Sequence, residues 1–219
     1  MTKTWYGKQT KTVGSSKVTV QQVKFHGRRE IVDRVCSVVT AARAWLNISL
    51  PEITTVPNAA VYDAFLQCFK KASNAGMMTV KAVLSNVSHE LNKDISIKVK
   101  DLQDDSGYAS AYYTGKTKRV GGVRFYDEDG DEITRYGDIH LDITDLLTKP
   151  VYATITLIHE ATHKFSNTDD YDDKGYFKSD GSAFRAPGLT WQQALNNADS
   201  YAFFVYKIMQ SKFHQLIVT

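Results

Sequence analysis

Near residue 94 the recurrence of hydrophobic residues changes its period. Before that point apolar side chains return every three or four positions. In "REIVDRVCSVVTAARAWLN", Ile31, Val35, Val38, Ala42 and Trp45 fall on one helical face, the spacing of an amphipathic helix laid against a core. "PNAAVYDAFLQCFKKA" repeats the pattern through Val61, Phe65 and Cys68, with Pro57 and Asn58 at its start, where both residue types suit a helix N-terminus. "MMTVKAVLSNVSHEL" predicts a third helix by the same spacing.

After Asp94 the period drops to two. "ISIKVKDL" alternates, "YASAYYT" and "GGVRFYDE" are rich in aromatic and β-branched residues, and "DGDE" has the acid–glycine chemistry of a hairpin turn, so a small, mostly antiparallel sheet is predicted. "DIHLDITDL" alternates as a further strand. "PVYATITLIHEATHKF" returns to the helical period behind Pro150, and "WQQALNNADSYAFFVYKIMQSKF" reads as one closing amphipathic helix. Helices, sheet, helix, polar loop and final helix in that order make an α+β chain.

Composition sharpens this outline. With 219 residues, 42% of them hydrophobic, the chain can bury a substantial core, and one domain over residues 1–219 is expected. No apolar run approaches the roughly 20 residues needed to cross a bilayer, so no membrane span is expected. The N-terminal "MTKTWYGKQTKTVGSSK" lacks the apolar core of a secretory signal. Synthesis in the cytoplasm follows as an expectation, with any export by a specialised route. Seven lysines and arginines precede the first acid, Glu30, and residues 1–27 read as a solvated basic arm. A net charge of +3 is too small to argue for a nucleic-acid partner. Cys36 and Cys68 sit in apolar helical patterns and read as buried free thiols. The acid run from Asp127 to Glu132 has glutamate where an EF-hand loop requires its glycine and no glutamate at the closing distance, which leaves a solvated turn.

The chemistry concentrates in "TLIHEATHKFSNTDDY", Thr156 to Tyr171. His159, Glu160 and His163 form an H-E-x-x-H pattern. Four residues along an α-helix bring the second imidazole to within roughly 40° of the first, one turn on, so both reach a single ion. Leu157, Ile158, Ala161 and Phe165 lie on an arc away from the pair; burial and ligation therefore use different sides of the helix. Glu160 projects beside the histidines, directed at a water on such an ion rather than at the ion itself. A hydrolytic zinc takes three protein ligands and keeps a position for water. The following "SNTDDYDDKGYF" offers Asp169, Asp170, Asp172 and Asp173 as the third ligand.

At these residues the sequence resembles the aspzincin zinc metallopeptidases, the group of deuterolysin and the peptidyl-lysine metalloendopeptidases. That family combines H-E-x-x-H with a G-T-x-D-x-x-Y-G type segment and an N-A-D segment in the last helix. The counterparts are His159 to His163, then Thr168-Asp169-Asp170, then Asn197-Ala198-Asp199, over about the last 70 residues. The resemblance implies a zincin-like fold, a Zn2+ cofactor on His159, His163 and Asp170, and Glu160 as general base. It implies Tyr176 as the oxyanion donor if residues are inserted before "GYF". Otherwise Asp173 becomes the ligand, or Tyr171 takes the oxyanion role. Asn167 replaces the family's glycine and can adopt the same left-handed backbone. Asp199 corresponds to an acid of the pocket for the residue after the cleaved bond, which implies a preference for a basic side chain; its other reading is a carboxylate that hydrogen-bonds a ligand. Ala202 stands where lysine-specific members carry a second acid.

The expected activity is therefore a zinc metalloendopeptidase acting on peptide or protein substrates. The strand "DIHLDI", Asp138 to Ile143, is the expected template for extended substrate. Two cysteines and no visible signal bring the chain nearer to bacterial relatives, some of them exported toxins or effectors. A toxin of that kind would cut one cell-envelope peptide or host protein and would have an inhibitor or immunity protein as partner. The alternative from another class is a binding module that keeps zinc for structure alone.

Overall fold

The computed structural model describes residues 5–23, 29–102, 107–109, 112–114, 123–126, 132–135, 138–178 and 180–218. The chain opens with two strands, β1 (Trp5–Val13) and β2 (Ser16–Val23), paired antiparallel around a turn at Gly14. Gly14 has φ of 63°, a backbone conformation that glycine adopts at little cost. This hairpin takes up residues 5–23 of the stretch expected to be a solvated basic arm. Val18 and Val20 are buried, while Lys17 is exposed and Thr19 between the valines is half-buried, the period-two pattern of a half-buried strand. The hairpin is also fastened. Buried Arg43 donates from Nη1 to the Val13 carbonyl (2.8 Å), from Nη2 to Ser16 Oγ (2.7 Å) and from Nε to the Leu91 carbonyl (2.7 Å).

Three helices follow: α1 (Arg29–Ser49), α2 (Ala59–Phe69) and α3 (Asn74–Leu91). Helix α1 buries Ile31, Val35, Val38, Val39, Ala42 and Leu46 along one stripe. Asn58 caps α2 by accepting from the Val61 N–H at 3.0 Å. Ser73 caps α3 by accepting from the Gly76 N–H at 3.1 Å, which starts that helix three residues before the predicted segment.

The remaining elements are β3 (Ile95–Lys100), β4 (Gly107–Ala109), β5 (Tyr112–Thr114), β6 (Val123–Tyr126), β7 (Glu132–Arg135), β8 (Ile139–Asp142), α4 (Ile143–Thr148), α5 (Pro150–Ser166), α6 (Asp172–Gly175), α7 (Trp191–Leu195) and α8 (Ala198–Val218). A five-stranded sheet runs β1-β2-β3-β8-β4, and β5-β7-β6 form a smaller one. The α+β expectation holds, and antiparallel pairs outnumber parallel ones among the described strands. The centre of the large sheet is nevertheless parallel, with β3 between β2 and β8. The turn residues of the predicted "DGDE" hairpin, 127–131, lie outside the described residues; β6 and β7 on either side of them pair antiparallel.

Helix α5 lies at the centre, packed on α1, α3, α8 and the β8–β4 side of the large sheet. Ten consecutive residues, Ala153 to Thr162, are buried. Pro150 occupies its first turn, and Asn167 ends it with φ of 55°, as expected of an asparagine in place of glycine. The predicted closing helix divides into α7 and α8 at Asn196 and Asn197. No helix among the described residues is long and apolar enough to cross a membrane.

Candidate metal centre

One turn of α5 separates His159 from His163, and their Nε2 atoms face each other at 3.0 Å. Each ring is held from behind. His159 Nδ1–H donates to Asp199 Oδ1 at 2.7 Å, and His163 Nδ1–H donates to the Thr168 carbonyl at 2.7 Å. With both Nδ1 atoms donating, the neutral tautomer of each ring leaves a lone pair on Nε2. Asp170 completes the group, with Oδ1 3.4 Å from His159 Nε2 and Oδ2 3.1 Å from His163 Nε2. Among the described residues His159, His163 and Asp170 form the one cluster whose donor atoms lie within 4.8 Å of one another.

Two facing lone pairs beside a carboxylate require a positive charge between them, either a proton or a metal ion. The spacing fits zinc. Ligands about 2.0–2.1 Å from a tetrahedral zinc stand about 3.3 Å from each other, and the three contacts here are 3.0, 3.1 and 3.4 Å. The same charge pattern governs the protons of the ion-free site. Burial disfavours a charged His159, but the Asp199 hydrogen bond and charge, with Glu160 and Asp170 nearby, outweigh it and push the imidazole up to about 10. Burial raises Asp170, while its hydrogen bond to His163, the two imidazoles and a hydrogen bond from Tyr176 together hold it below the ordinary carboxylate range.

Glu160 is buried, with Oε1 3.8 Å from His159 Nε2, so its carboxylate borders the cluster without joining it. Tyr176 stacks on His159, ring centroids 6.2 Å apart and planes within 14°, and bonds Asp170. Among the acids and tyrosines left open by the sequence, the structure therefore gathers Asp170 and Tyr176 at the histidines. Asp173 is exposed, and its carbonyl accepts from the Ala186 N–H at 2.8 Å. Tyr171 turns to Asn196, whose Nδ2 donates to its hydroxyl at 3.2 Å. The extra residues before "GYF" form α6, entered through Asp172 with φ of 47°; this single turn carries the chain back to the cluster at Tyr176.

Asp199, in the first turn of α8, has both oxygens engaged: Oδ2 accepts from the Phe177 N–H at 2.8 Å while Oδ1 holds His159.

Several contacts that support the site had no counterpart in the sequence reading. The break between α7 and α8 grips the loop bearing Asp170: Asp169 N–H donates to the Asn196 carbonyl (2.7 Å), and Ala198 N–H to the Asp169 carbonyl (3.0 Å). Asn197 Nδ2 donates to the Gly175 carbonyl at 2.9 Å. A Cβ on Gly175 would stand 2.5 Å from Asn197 Oδ1, closer than any real contact, so this crossing excludes a side chain. The Thr162 and Thr168 hydroxyls bond at 2.7 Å and join the helix to the same loop. Hydrogen bonds among residues far apart in sequence leave no periodic signal, which is why spacing alone did not reveal them.

No protein-family model matches the chain. No curated protein matches it either. Among solved structures, a zinc peptidase from Grifola frondosa superposes with a TM-score of 0.56 at 15% identity, over 81% of this chain and 95% of that one. With the His159, His163 and Asp170 cluster at its centre, the chain shares the fold of that zinc peptidase.

Proposed function

We propose that the chain is a zinc-dependent endopeptidase, with His159, His163 and Asp170 as the metal ligands. The convergence of these three donors at zinc spacing carries the reading. Bound zinc would supply a Lewis acid that polarises water and the substrate carbonyl. Glu160 takes the proton from the attacking water at its carboxylate and passes it to the leaving amine, the role its place beside the cluster supports. The Tyr176 hydroxyl donates to the developing oxyanion, a contribution of about 3 kcal/mol for such a donor. Asp199 keeps the His159 proton on Nδ1, so that Nε2 remains a ligand. Because both Asp199 oxygens are occupied, the geometry favours this orienting role over a pocket for a basic side chain.

The substrate strand is reassigned. Strand β8 pairs with β3 on one side and with β4 on the other, so the expected template Asp138 to Ile143 offers no open edge along Ile139–Leu141. Among the described strands β4 ends the sheet and packs against α5, and extended peptide would add there.

The test is a quenched peptide library with zinc-loaded protein. Wild type is expected to cut it and to stop with chelator, while Glu160→Gln keeps one zinc and loses about 10²–10⁴-fold in rate. Undiminished cleavage by Glu160→Gln removes the proposed base. A wild type that holds zinc yet cuts nothing in the library, but does cut cell-envelope or host peptides, is the dedicated effector. One that cuts neither is the non-catalytic zinc module.

A further inference from the structure

Beyond α6 the chain makes a short ladder that lies against the metal-site tyrosine. Phe177 and Phe184 form an antiparallel bridge, Arg185 N–H donates to the Tyr176 carbonyl at 2.8 Å, and Lys178 N–H donates to the Ala183 carbonyl at 2.9 Å. The ladder is anchored by aromatic packing. The Phe177 and Phe184 ring centroids are 4.0 Å apart, and those of Phe177 and Phe203, on α8, are 4.6 Å apart. Its turn passes through Gly181, φ 70°, where a Cβ would come within 3.0 Å of the Phe203 ring. Ala186 N–H, donating to the Asp173 carbonyl, ties the far end to α6. The backbone of Arg185 is thus fixed on both sides.

Its side chain is fixed as well. The guanidinium carbon lies 5.2 Å from the Tyr176 ring centroid, and Nε–H donates to the Phe177 carbonyl at 3.2 Å. Tyr176 in turn stacks on His159, so guanidinium, phenol and metal-site imidazole are linked through two successive ring contacts. A guanidinium has five N–H donors, and one is used here. Arg185 is solvent-exposed, and no carboxylate of a described residue pairs with it. An exposed guanidinium held through Nε and over the Tyr176 ring suits the fork that binds a carboxylate through two parallel hydrogen bonds.

We infer that Arg185 recognises a carboxylate on the peptide substrate, an inference that rests on the peptidase reading above. The carboxylate belongs to an acidic side chain near the cleaved bond or to the C-terminus of a short substrate; both present the same planar anion. Arg185 is then a specificity residue, and the preference it confers is opposite in sign to the basic preference implied by the family resemblance of Asp199.

The experiment uses peptide pairs that differ by Glu against Gln at each position flanking the cleaved bond, and a further pair that differs by free acid against amide at the C-terminus. Each is offered to zinc-loaded wild type, Arg185→Ala and Arg185→Lys. Wild type is expected to favour the carboxylate at one site by about tenfold or more in kcat/KM, the scale of a charge-assisted hydrogen-bonded pair. That ratio should fall to near one in Arg185→Ala and recover in part in Arg185→Lys. The pair that carries the ratio tells side chain from chain end. A ratio unchanged by Arg185→Ala overturns the inference, as does an equal loss on both members of each pair, which would make Arg185 only a support for Tyr176. Binding of the same peptides to zinc-loaded Glu160→Gln, with and without Arg185→Ala, is read separately from turnover. Carboxylate-dependent binding lost with Arg185 supports the inference even if the chain cleaves nothing, and equal affinity within every pair overturns it.

Discussion

Asp199 lies forty residues beyond His159 in sequence and 2.7 Å from its Nδ1 in the fold. A carboxylate in that place fixes which nitrogen carries the proton, and with it which nitrogen is free to bind metal. Asp199→Asn is therefore expected to weaken zinc binding by about 10–100-fold, read by competition with a chromogenic chelator; unchanged affinity would show that Asp199 does not orient His159. The histidine pair itself was legible in the sequence, because a four-residue helical step is local geometry that needs no tertiary knowledge. Asp170 was legible as one of four acids and was singled out through the threonine at Thr168. For Asp199 the sequence left two readings, a pocket acid or a carboxylate bonded to a ligand, and the choice between them depends on how α8 crosses α5. Arg185 was overlooked for a related reason: only the fold of the Phe177–Phe184 ladder brings it over Tyr176.

At the scale of elements, the helices were read well and their interruptions poorly. The apolar period runs across Asn196 and Asn197 without a fault, so α7 and α8 looked continuous; the break exists because its backbone is used to hold Asp169. Strands β1 and β2 were missed because that segment was read through its basic charge, although Val18 and Val20 carry the alternation. Only one helical turn, α6, stands between the Asp170 loop and Tyr176, and Gly175 is its closest crossing with Asn197. Gly175→Ala must displace the Asn197 amide or the turn itself. The expected cost is about 1–3 kcal/mol of stability, with weaker zinc binding measured on the folded variant. A variant with wild-type melting temperature and wild-type zinc affinity would show that this crossing is not constrained.

At the scale of the molecule, the parallel centre of the sheet was not readable from strand patterns, because pairing partners are set by where α1, α2 and α3 carry the chain between β2 and β3. This arrangement puts His140 of β8 opposite Lys98 of β3 and buries it. Burial first, then the charges of Lys100 and Lys98, lower its imidazole from 6.5 to about 4. Between those values the unfolded chain binds a proton that the folded chain refuses. Stability is therefore full above pH 6.5 and falls as pH drops toward 4, by about 3 kcal/mol from this residue. Thermal melts from pH 7 to 4 should show that loss, and His140→Gln should remove most of it; an identical acid slope in the variant would contradict the assignment.

The proposed function rests on three side chains, His159, His163 and Asp170, holding one ion, and metal analysis of purified, zinc-equilibrated protein tests that claim most directly. One zinc per chain is expected in wild type and in Asp173→Ala, and none in a folded Asp170→Ala. A metal-free wild type, or zinc retained by Asp170→Ala and lost from Asp173→Ala, would contradict the account.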